Sequence, residues 1–370
     1  MRKLPLYILL LLFLTSCGTT KIINNENVSL RFLDDFIIPS GLEIKDTKVG
    51  GLSGIEFHDG EYYLVCDHPG NPRIYKATIE ITGRSIDTVS VTDVVLLDKT
   101  APFIKGNHLD LEGIRVESDK ILLSSEGSIQ NGKDPSILYI SHEGNYMSHF
   151  TLPEYFLASG DQKPRNNGVF EGLAESFDQS GYWAGIELPL VKDGSKPKLF
   201  PTRSPVRITH FDKKTGDATK QFVMQLEHIT KIPWMYFATN GLTELLEYAP
   251  DRFLVLERAF SAGHGTNGNT VRIFDVDASQ ATNTVNTENL RKTDYTPANK
   301  NLIFDFKPYR KNLKEQIIDN LEGMTFGPDL PNGNKTVLLV SDDNFSSFGR
   351  QITQIILMEL EIKDHIKTTK

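Results

Sequence analysis

Short apolar runs rich in β-branched and aromatic residues recur along the chain, with polar turns between them. Five look-alike segments each predict a strand: "GLSGIEF" at 51, "DLEGIRV" at 110, "VFEGLAES" at 169, "NGLTELLEY" at 240 and "NLEGMTF" at 320. A second run follows each of them, reading "YYLVCD", "ILLSSE", "YWAGIE", "FLVLE" and "VLLVSD". Repetition of this kind indicates a repeat architecture.

Every repeat continues with a third predicted strand, and four repeats add an outer one, near 89–97, 146–152, 219–226 and 301–306. The fifth repeat lacks an outer strand, whereas "VSLRFLDDFII" at 28–38 precedes the first repeat. We therefore predict an all-β fold, a β-propeller of five blades closed by pairing of the N-terminal strand with the last blade. A β-sandwich is the alternative.

Two details of this fold stay open at the level of sequence. The stretch 278–318 is long enough to contain a degenerate sixth blade, although residues 311–319, "KNLKEQIID", predict a short helix there instead. A sandwich would explain many short strands, but it gives no reason for carboxylates to recur at the same two places of each repeat.

The N-terminal residues have a different character. Two basic residues precede an apolar run from Leu4 to Leu14 that is too short for a stable membrane-spanning helix, and "LTSC" ends it at Cys17. That tetrapeptide resembles a bacterial lipobox, which implies cleavage before Cys17 and lipid attached to it. A plain secretory signal is the alternative.

This N-terminus sets the predicted domains and location. We predict a lipoprotein signal peptide at 1–17, a polar tether at 18–27 and a single β-propeller domain at 28–370. The protein would lie in the cell envelope, on the periplasmic side of the outer membrane or at the cell surface, and contact the membrane only through lipid at Cys17.

Composition limits the kinds of partner that the protein can bind. The chain has 370 residues, 39% of them hydrophobic, and a formal charge of −8, which argues against nucleic acid because phosphate backbones need a basic face. We expect a monomer. Cys66 lies in an apolar predicted strand, so packing is the expected role of its side chain.

Acidic residues recur at two positions of the repeat. The first position holds Ser53, Glu112, Glu171, Thr243 and Glu322, and the second holds Asp67, Glu126, Glu187, Glu257 and Asp342. The start of the first strand and the end of its antiparallel neighbour lie at the same face of a propeller. We therefore expect the eight carboxylates to converge at one mouth of the channel.

Such crowding needs compensation. Two like charges about 4 Å apart repel by about 4 kcal/mol at an effective dielectric near 20, so protonation, arginine partners or bound cations must offset them. Carboxylates without histidine or cysteine at metal spacing favour Ca²⁺, with Mg²⁺ second. The predicted ligands are Glu112, Glu126, Glu171, Glu322, Asp67 and Asp342, with Glu112, Glu171 and Glu322 as the first choices. Acids of the ring that bind no cation would hold the blades together.

Loops at the same face carry basic residues, and we expect them to bind a small anionic substrate. The substrate-binding candidates are Lys105, His108, Lys163, Arg165 and Arg350. Arg258 and His264 lie in a further loop-proximal segment, "ERAFSAGHGTNGN". No G-x-S-x-G elbow is present at Ser53, because Ile55 stands where the second glycine belongs, so a serine esterase is disfavoured.

The segments "GGLSGIEF", "DLEGI", "GVFEGLA", "LVLERAFSAGHGTNGNTVRIFDV" and "LEGMTF...VLLVSDDN" together resemble the phytase-like domain family, described as esterase-like activity of phytase. The resemblance covers nearly all of residues 45–362. It implies a secreted or lipid-anchored propeller, related in concept to calcium-dependent phytases, that hydrolyses phosphoesters or esters.

If the reaction is phosphoester hydrolysis, calcium held by the acids would bind phosphate oxygens, and an acid outside the metal site would take a proton from water. Glu187 and Glu257 are the candidates for that acid. Arg258 would offset charge in the transition state, and His264 is the remaining catalytic candidate. Two alternatives stay open: a calcium-dependent lactonase, whose "E-G-P" strand parallels "L-E-G" here, and a non-catalytic propeller that binds a polymer or partner.

Overall fold

The computed structural model describes residues 28–346 and 349–363. Nearly all regular structure in these residues is β, in five four-stranded antiparallel sheets and one two-stranded hairpin. The predicted signal peptide, with Cys17, and the tether at 18–27 lie outside the described residues. No helix in the described ranges has the length and apolar character needed to cross a membrane.

The strands follow the chain in blade order. The chain begins with β1 (Val28–Ile38), β2 (Glu43–Ile44) and β3 (Thr47–Lys48). Blade 1 contains β4 (Leu52–His58), β5 (Glu61–Cys66), β6 (Arg73–Thr82) and β7 (Ser85–Leu96). Blade 2 contains β8 (Leu111–Val116), β9 (Ile121–Ser125), β10 (Ser136–Ile140) and β11 (Tyr146–His149). Blade 3 contains β12 (Phe170–Glu175), β13 (Gly181–Ile186), β14 (Pro205–Asp212) and β15 (Ala218–Gln225).

The last two blades complete the ring. Blade 4 contains β16 (Ala238–Ala249), β17 (Arg252–Ser261), β18 (Asn269–Asp277) and β19 (Asn299–Asp305). Blade 5 contains β20 (Asn320–Phe326), β21 (Lys335–Asp342) and β22 (Thr353–Ile362), with β1 as its outer strand. One short helix, α1 (Pro102–Gly106), and 3-10 turns at Ile129–Asn131, Glu154–Phe156, Gly265–Asn267, Leu290–Lys292, Lys307–Asn312 and Asn344–Ser346 lie in the connections.

The inner strands β4, β8, β12, β16 and β20 contact one another in cyclic order, and β20 also contacts β4. The all-β propeller predicted from the repeats is therefore confirmed, with five blades. Strand β1 pairs with β22 from Val28 opposite Ile362 to Ile38 opposite Thr353. We define the mouth as the face of the propeller where the inner strands begin. Strand β1 therefore begins at the opposite face and runs toward the mouth.

Small residues let the inner strands approach closely. A Cβ on Gly113 would lie 2.9 Å from the backbone oxygen of Glu171, and one on Gly323 would lie 2.8 Å from the Cα of Gly54. Away from the axis, the blades pack through apolar side chains between adjacent sheets. Cys66 belongs to this core, where burial raises the pKa of its thiol to about 12.

The stretch 278–318 forms neither the sixth blade nor the predicted helix. Its first part lies against the outer strand of blade 3, where Thr284 N donates to Gln221 O at 2.9 Å and Ala298 N donates to Val223 O at 2.8 Å. The helix predicted at 311–319 is wrong: a 3-10 turn ends at Asn312. Buried side chains and a hydrogen bond from Lys314 N to Asp35 Oδ1, at 3.1 Å, take the place of helical bonds.

Candidate functional site

Each inner strand has a β-bulge near its start, and the bulge falls at the first recurring position of the repeat. The ladder register shifts at that point in all five blades. The bulged residues are Ser53, Glu112, Glu171, Thr243 and Glu322. A bulge leaves one residue out of the ladder and redirects its side chain. The same irregularity therefore presents three glutamates toward the mouth.

In blades 1, 2, 3 and 5, the second strand supplies a further acid from directly beside the bulge. Asp67 N donates to Gly51 O at 2.9 Å, Glu126 N donates to Asp110 O at 3.0 Å, and Glu187 N donates to Val169 O at 2.7 Å. In blade 5, Asp342 pairs with Asn320. We call the resulting group the acidic cluster; its members are Asp67, Asp110, Glu112, Glu126, Glu171, Glu187, Glu322 and Asp342.

Two overlapping sets of carboxylates in this cluster could hold a metal ion. One oxygen each from Asp110, Glu112 and Glu126 lie within 4.8 Å of one another, and the same is true of Glu126, Glu171 and Glu187. Glu126 belongs to both sets. Three carboxylate oxygens at such spacing suit an oxygen-loving divalent cation, and calcium accepts further ligands from water or substrate.

The blade 5 side of the cluster is held by an amide. Asn320 Nδ2 donates to Glu322 Oε1 at 2.8 Å and to Asp342 Oδ2 at 3.2 Å. Burial, followed by the charge of nearby Asp342, raises the pKa of Asp67. The cluster therefore extends across the mouth from blade 1 to blade 5.

Burial and mutual repulsion disfavour the charged form of these acids. Burial, followed by the charge of Glu187, raises the pKa of Glu126 to about 8. Burial raises the pKa of Glu322 to about 8 even though Arg258 opposes the shift. The pKa values of Glu112 and Glu171 are raised well above the usual range, first by burial and then by neighbouring carboxylates. Without a cation, the cluster therefore holds protons at neutral pH.

Arg258 occupies the position in the cluster that the sequence repeat predicted for Glu257. In blade 4, Leu242 pairs with Glu257 and Gly241 pairs with Arg258, so Arg258 is the residue equivalent to Glu126 and Asp342. Its Nη2 donates to Glu322 Oε1 at 2.9 Å. Burial would lower the pKa of Arg258, but the nearby carboxylates outweigh burial and raise it.

Glu257 therefore lies outside the acidic cluster, which corrects its predicted convergence with the other acids. Successive residues of a strand point to opposite faces, so a shift of one position turns the side chain away. Glu257 instead accepts hydrogen bonds from Lys300 Nζ at 2.5 Å, Asn240 Nδ2 at 2.8 Å and Glu227 N at 3.0 Å. These contacts give Glu257 a structural role within blade 4.

Two members of the site were missed from sequence. Asp110 contributes to the first carboxylate set, and Asn320 bridges Glu322 and Asp342. Both stand two residues before the bulged glutamate, as "DLEG" and "NLEG", and each pairs with a second-strand acid. The polar residue at this shared position is the signal that could have identified them.

The predicted rim bases are scattered, and their substrate-binding roles stay predictions. Arg165 is tied to a neighbouring loop, with Nε donating to Pro189 O at 2.9 Å and Nη2 donating to Gly194 O at 3.0 Å. Arg350 Nη2 donates to Glu315 Oε2 at 2.5 Å on the surface. Lys105 lies exposed in α1, His108 is half-buried before β8, and Lys163 is exposed in the loop before β12.

His264 is also away from the acidic cluster. Its half-buried ring makes a 2.8 Å hydrogen bond through Nε2 with Ile232 O, and its centroid lies 4.6 Å from that of Trp234. It therefore supports the loop before β16. Within the described residues, the side chain of His264 contacts none of these acids, and its catalytic role stays a prediction.

Polar atoms that lack partners point to a ligand in the cluster. Ser53, the bulged residue of blade 1, is buried, and among the described residues its Oγ has no hydrogen-bond partner. The buried Nε of Arg258 likewise has none within the described ranges. Buried polar atoms are normally satisfied, so these two and the all-oxygen donor set fit a bound cation with an anionic ligand.

The other end of the channel is separate from this site. Arg115, on β8, forms ion pairs with Glu56 at 3.3 Å and Glu244 at 3.4 Å, and it also donates to Leu173 O. Beyond it, at the face where inner strands end, lies a cavity of about 210 Å³ lined by residues that include Glu56, Arg115 and Phe177. Arg115 and its two acidic partners therefore form a charged group that is separate from the acidic cluster.

The solved structures that match this chain are remote in sequence. Glutaminyl cyclase from Myxococcus xanthus is 8% identical, with 90% of this chain and 97% of that chain covered and a TM-score of 0.40. A GH43 β-xylosidase/α-arabinofuranosidase from a compost microbial metagenome is 10% identical, with 91% and 96% covered and a TM-score of 0.45. A glycosyl hydrolase from Bacteroides ovatus is 9% identical, with 92% and 93% covered and a TM-score of 0.44.

A search of curated proteins gives no match to the sequence. A protein family does match: residues 47–345 fit the family described as Phytase-like, esterase-like activity of phytase. The match includes all five inner strands and every member of the acidic cluster. The chain therefore belongs to the phytase-like family, as the resemblance of its repeats predicted.

Proposed function

We propose that this chain is a calcium-dependent hydrolase that cleaves phosphate esters at the acidic cluster. The observation that carries the proposal is the convergence of several carboxylates beside Arg258, which carry more negative charge when ionised than Arg258 can neutralise. A divalent cation held by these carboxylates would supply positive charge, and a phosphate ester is an anion that such a cation and an arginine can bind together.

The two carboxylate sets and their neighbours would have different roles. Asp110, Glu112 and Glu126 would hold one ion, and Glu126, Glu171 and Glu187 offer a second set that shares Glu126. A bound calcium ion would supply electrostatic stabilisation to the oxygens of the phosphoryl group. Glu322 and Asp342, anchored by Asn320, keep Arg258 directed into the cluster.

The proposed reaction transfers the phosphoryl group to water. The oxygen of water forms a bond to phosphorus while the ester P–O bond breaks, and the proton that water loses ends on the released alcohol. With an ion held by Asp110, Glu112 and Glu126, Glu187 would lie outside the metal site and is our candidate to carry that proton; burial raises its pKa above the usual range. Arg258 would offset negative charge on the phosphoryl oxygens through its free Nε.

The test is phosphate release from a panel of phosphate monoesters, measured with calcium and then with a chelator. We expect release that needs calcium, with Mg²⁺ less effective, and that falls by at least about 100-fold in Glu112→Ala. Full turnover in chelator would refute the proposal. Calcium-dependent cleavage of lactones without phosphate release would favour the lactonase alternative, and calcium binding without any turnover would favour a binding module.

We further propose that lipid at Cys17 holds the protein in the cell envelope as a monomer. The support is the "LTSC" sequence and the start of β1 at the face opposite the mouth. A tether at 18–27 would leave from that far face, so the acidic cluster would be turned away from the anchoring membrane. Metabolic labelling with a fatty acid, lost in Cys17→Ala, tests the anchor.

A further inference from the structure

Just before β16, the chain exposes five large apolar side chains within six residues. Their exposed fractions are 70% for Ile232, 73% for Trp234, 69% for Met235, 101% for Tyr236 and 57% for Phe237. We call this stretch the exposed segment 232–237. A continuous run of exposed apolar residues is unusual on a protein surface and marks a site of interaction with a ligand, a membrane or another protein.

The exposed segment is fixed in place beside the acidic cluster. Trp234 N donates to Ala262 O at 2.9 Å, and Ala262 N donates to Phe237 O at 2.9 Å, so the segment pairs with the end of β17. Phe237 precedes Gly241 by about 13 Å of extended strand. Gly241 pairs with Arg258, and a Cβ on Gly241 would lie 2.4 Å from Glu187 Cγ.

Basic side chains border the segment on the blade 5 side. Arg310 Nη1 donates to Thr266 O at 3.2 Å, which places the guanidinium beside the loop that carries His264. Lys307 and Arg310 are both near enough to lower the pKa of Lys231, after burial. An apolar surface bordered by cations favours amphiphiles with a negative head group.

We infer that the exposed segment 232–237 binds the hydrocarbon part of an amphiphilic phosphate monoester whose phosphate lies in the acidic cluster. The inference rests on the proposed function and specifies its substrate class. A single amphiphile would span the distance from Arg258 to Trp234 with its head among polar groups and its chain on the apolar side chains. Each methylene that leaves water adds to binding, so affinity grows with chain length.

The test compares decyl phosphate, below its micelle concentration, with ethyl phosphate on the full chain in calcium. Trp234 is a built-in reporter, because the other tryptophan, Trp183, is only 4% exposed. We expect decyl phosphate to shift Trp234 emission to the blue and to protect it from iodide, and ethyl phosphate to do neither. The Michaelis constant for phosphate release should be at least about tenfold lower for decyl phosphate.

Variants distinguish binding at the exposed segment 232–237 from catalysis at the acidic cluster. Met235→Ser and Tyr236→Asn should raise the Michaelis constant for decyl phosphate toward that for ethyl phosphate and leave ethyl phosphate turnover unchanged. Phe177→Ser is the matched control, because Phe177 is 50% exposed at the opposite face, and it should change neither.

The outcomes are distinguishable. Phosphate release that is independent of chain length overturns the inference and leaves the proposed function standing. Absence of release from every ester refutes the proposed function, whereas protection of Trp234 by decyl phosphate would then still support an amphiphile seat. Protection by phosphatidylcholine vesicles but not by monomeric decyl phosphate overturns the inference in favour of a membrane-docking surface.

Discussion

At the scale of single residues, one position along β17 decides the chemistry of blade 4. Glu257 and Arg258 are neighbours in sequence, but they point to opposite faces of the strand. Glu257 contacts Lys300, whereas Arg258 contacts Glu322 inside the acidic cluster. Because blade 4 presents an arginine where each of the other four blades has an acid, the site is asymmetric.

Glu257→Gln tests this assignment. We expect calcium affinity to stay within about twofold of the parent, since Glu257 lies outside the cluster. The free energy of unfolding should fall by about 2 kcal/mol because buried Lys300 loses its closest charged partner. Calorimetric calcium titration and urea unfolding measure the two quantities. A large loss of calcium affinity with unchanged stability would contradict the assignment.

Arg258→Gln should separate cation binding from substrate binding. Removing a positive charge from the cluster favours the ion, so calcium should bind at least as tightly as in the parent. Phosphate release should fall by about 100-fold, because the developing charge on the phosphoryl group loses its arginine. Weaker calcium binding together with normal turnover would contradict the role of Arg258.

At the scale of elements, the bulged inner strand is the unit that builds the site. Its glycine allows the next blade to approach, and its bulge turns the preceding residue toward the mouth. Gly113 is followed around the axis by the backbone of Glu171, which lies against it. Close packing at the axis and the position of the carboxylates are therefore linked.

Gly113→Ala should disturb both the packing at the axis and the position of the carboxylates. The new Cβ would lie 2.6 Å from Ser124 Oγ and 2.9 Å from Glu171 O, and relieving such overlap costs about 1–3 kcal/mol. Calcium affinity should drop as well, because Glu171 moves. Gly106→Ala is the matched control, with no atom within 4 Å of the added carbon. Equal stability of the two variants, measured by urea unfolding, would contradict this prediction.

The sequence predicted much of this element and not all of it. Repeated "LEG" segments identified the inner strands, since strand, glycine and acid recur together. Blade 4 could not be predicted in the same way. Its second strand contains "FLVLE", but the residue at the position of the other acids is the next one, Arg258. "IPWMYF" has the composition of a buried strand, and only its tertiary position leaves it exposed. Helical periodicity at 311–319 was outweighed by burial of Leu313, Ile317 and Ile318.

At the scale of the whole molecule, the five blades bring distant parts of the chain to one mouth. Glu112 and Glu322 are separated by more than half of the sequence, yet the charge of Glu322 adds to burial and to the charges of closer carboxylates in raising the pKa of Glu112. The stability of the propeller without metal should therefore depend on the protonation of the cluster.

Stability in chelator should fall as pH rises from about 4.5 to about 8. The pKa values of Glu126 and Glu322 are about 8 in the folded protein, compared with 4.5 for an unperturbed glutamate. Between these values the folded state binds more protons than the unfolded chain, so raising the pH favours unfolding. Thermal unfolding across this range, with and without calcium, measures the effect, and calcium should flatten the profile. A stability that rises through the window in chelator would contradict it.

The most direct test of the account is calcium titration by calorimetry on chelator-stripped protein at pH 7, with Glu126→Gln measured beside it. We predict saturable binding that releases protons, because calcium displaces them from carboxylates with raised pKa values. Glu126 is shared by both carboxylate sets, so Glu126→Gln should weaken binding by at least about tenfold. The same affinity in both proteins, or no binding at millimolar calcium, would contradict the account.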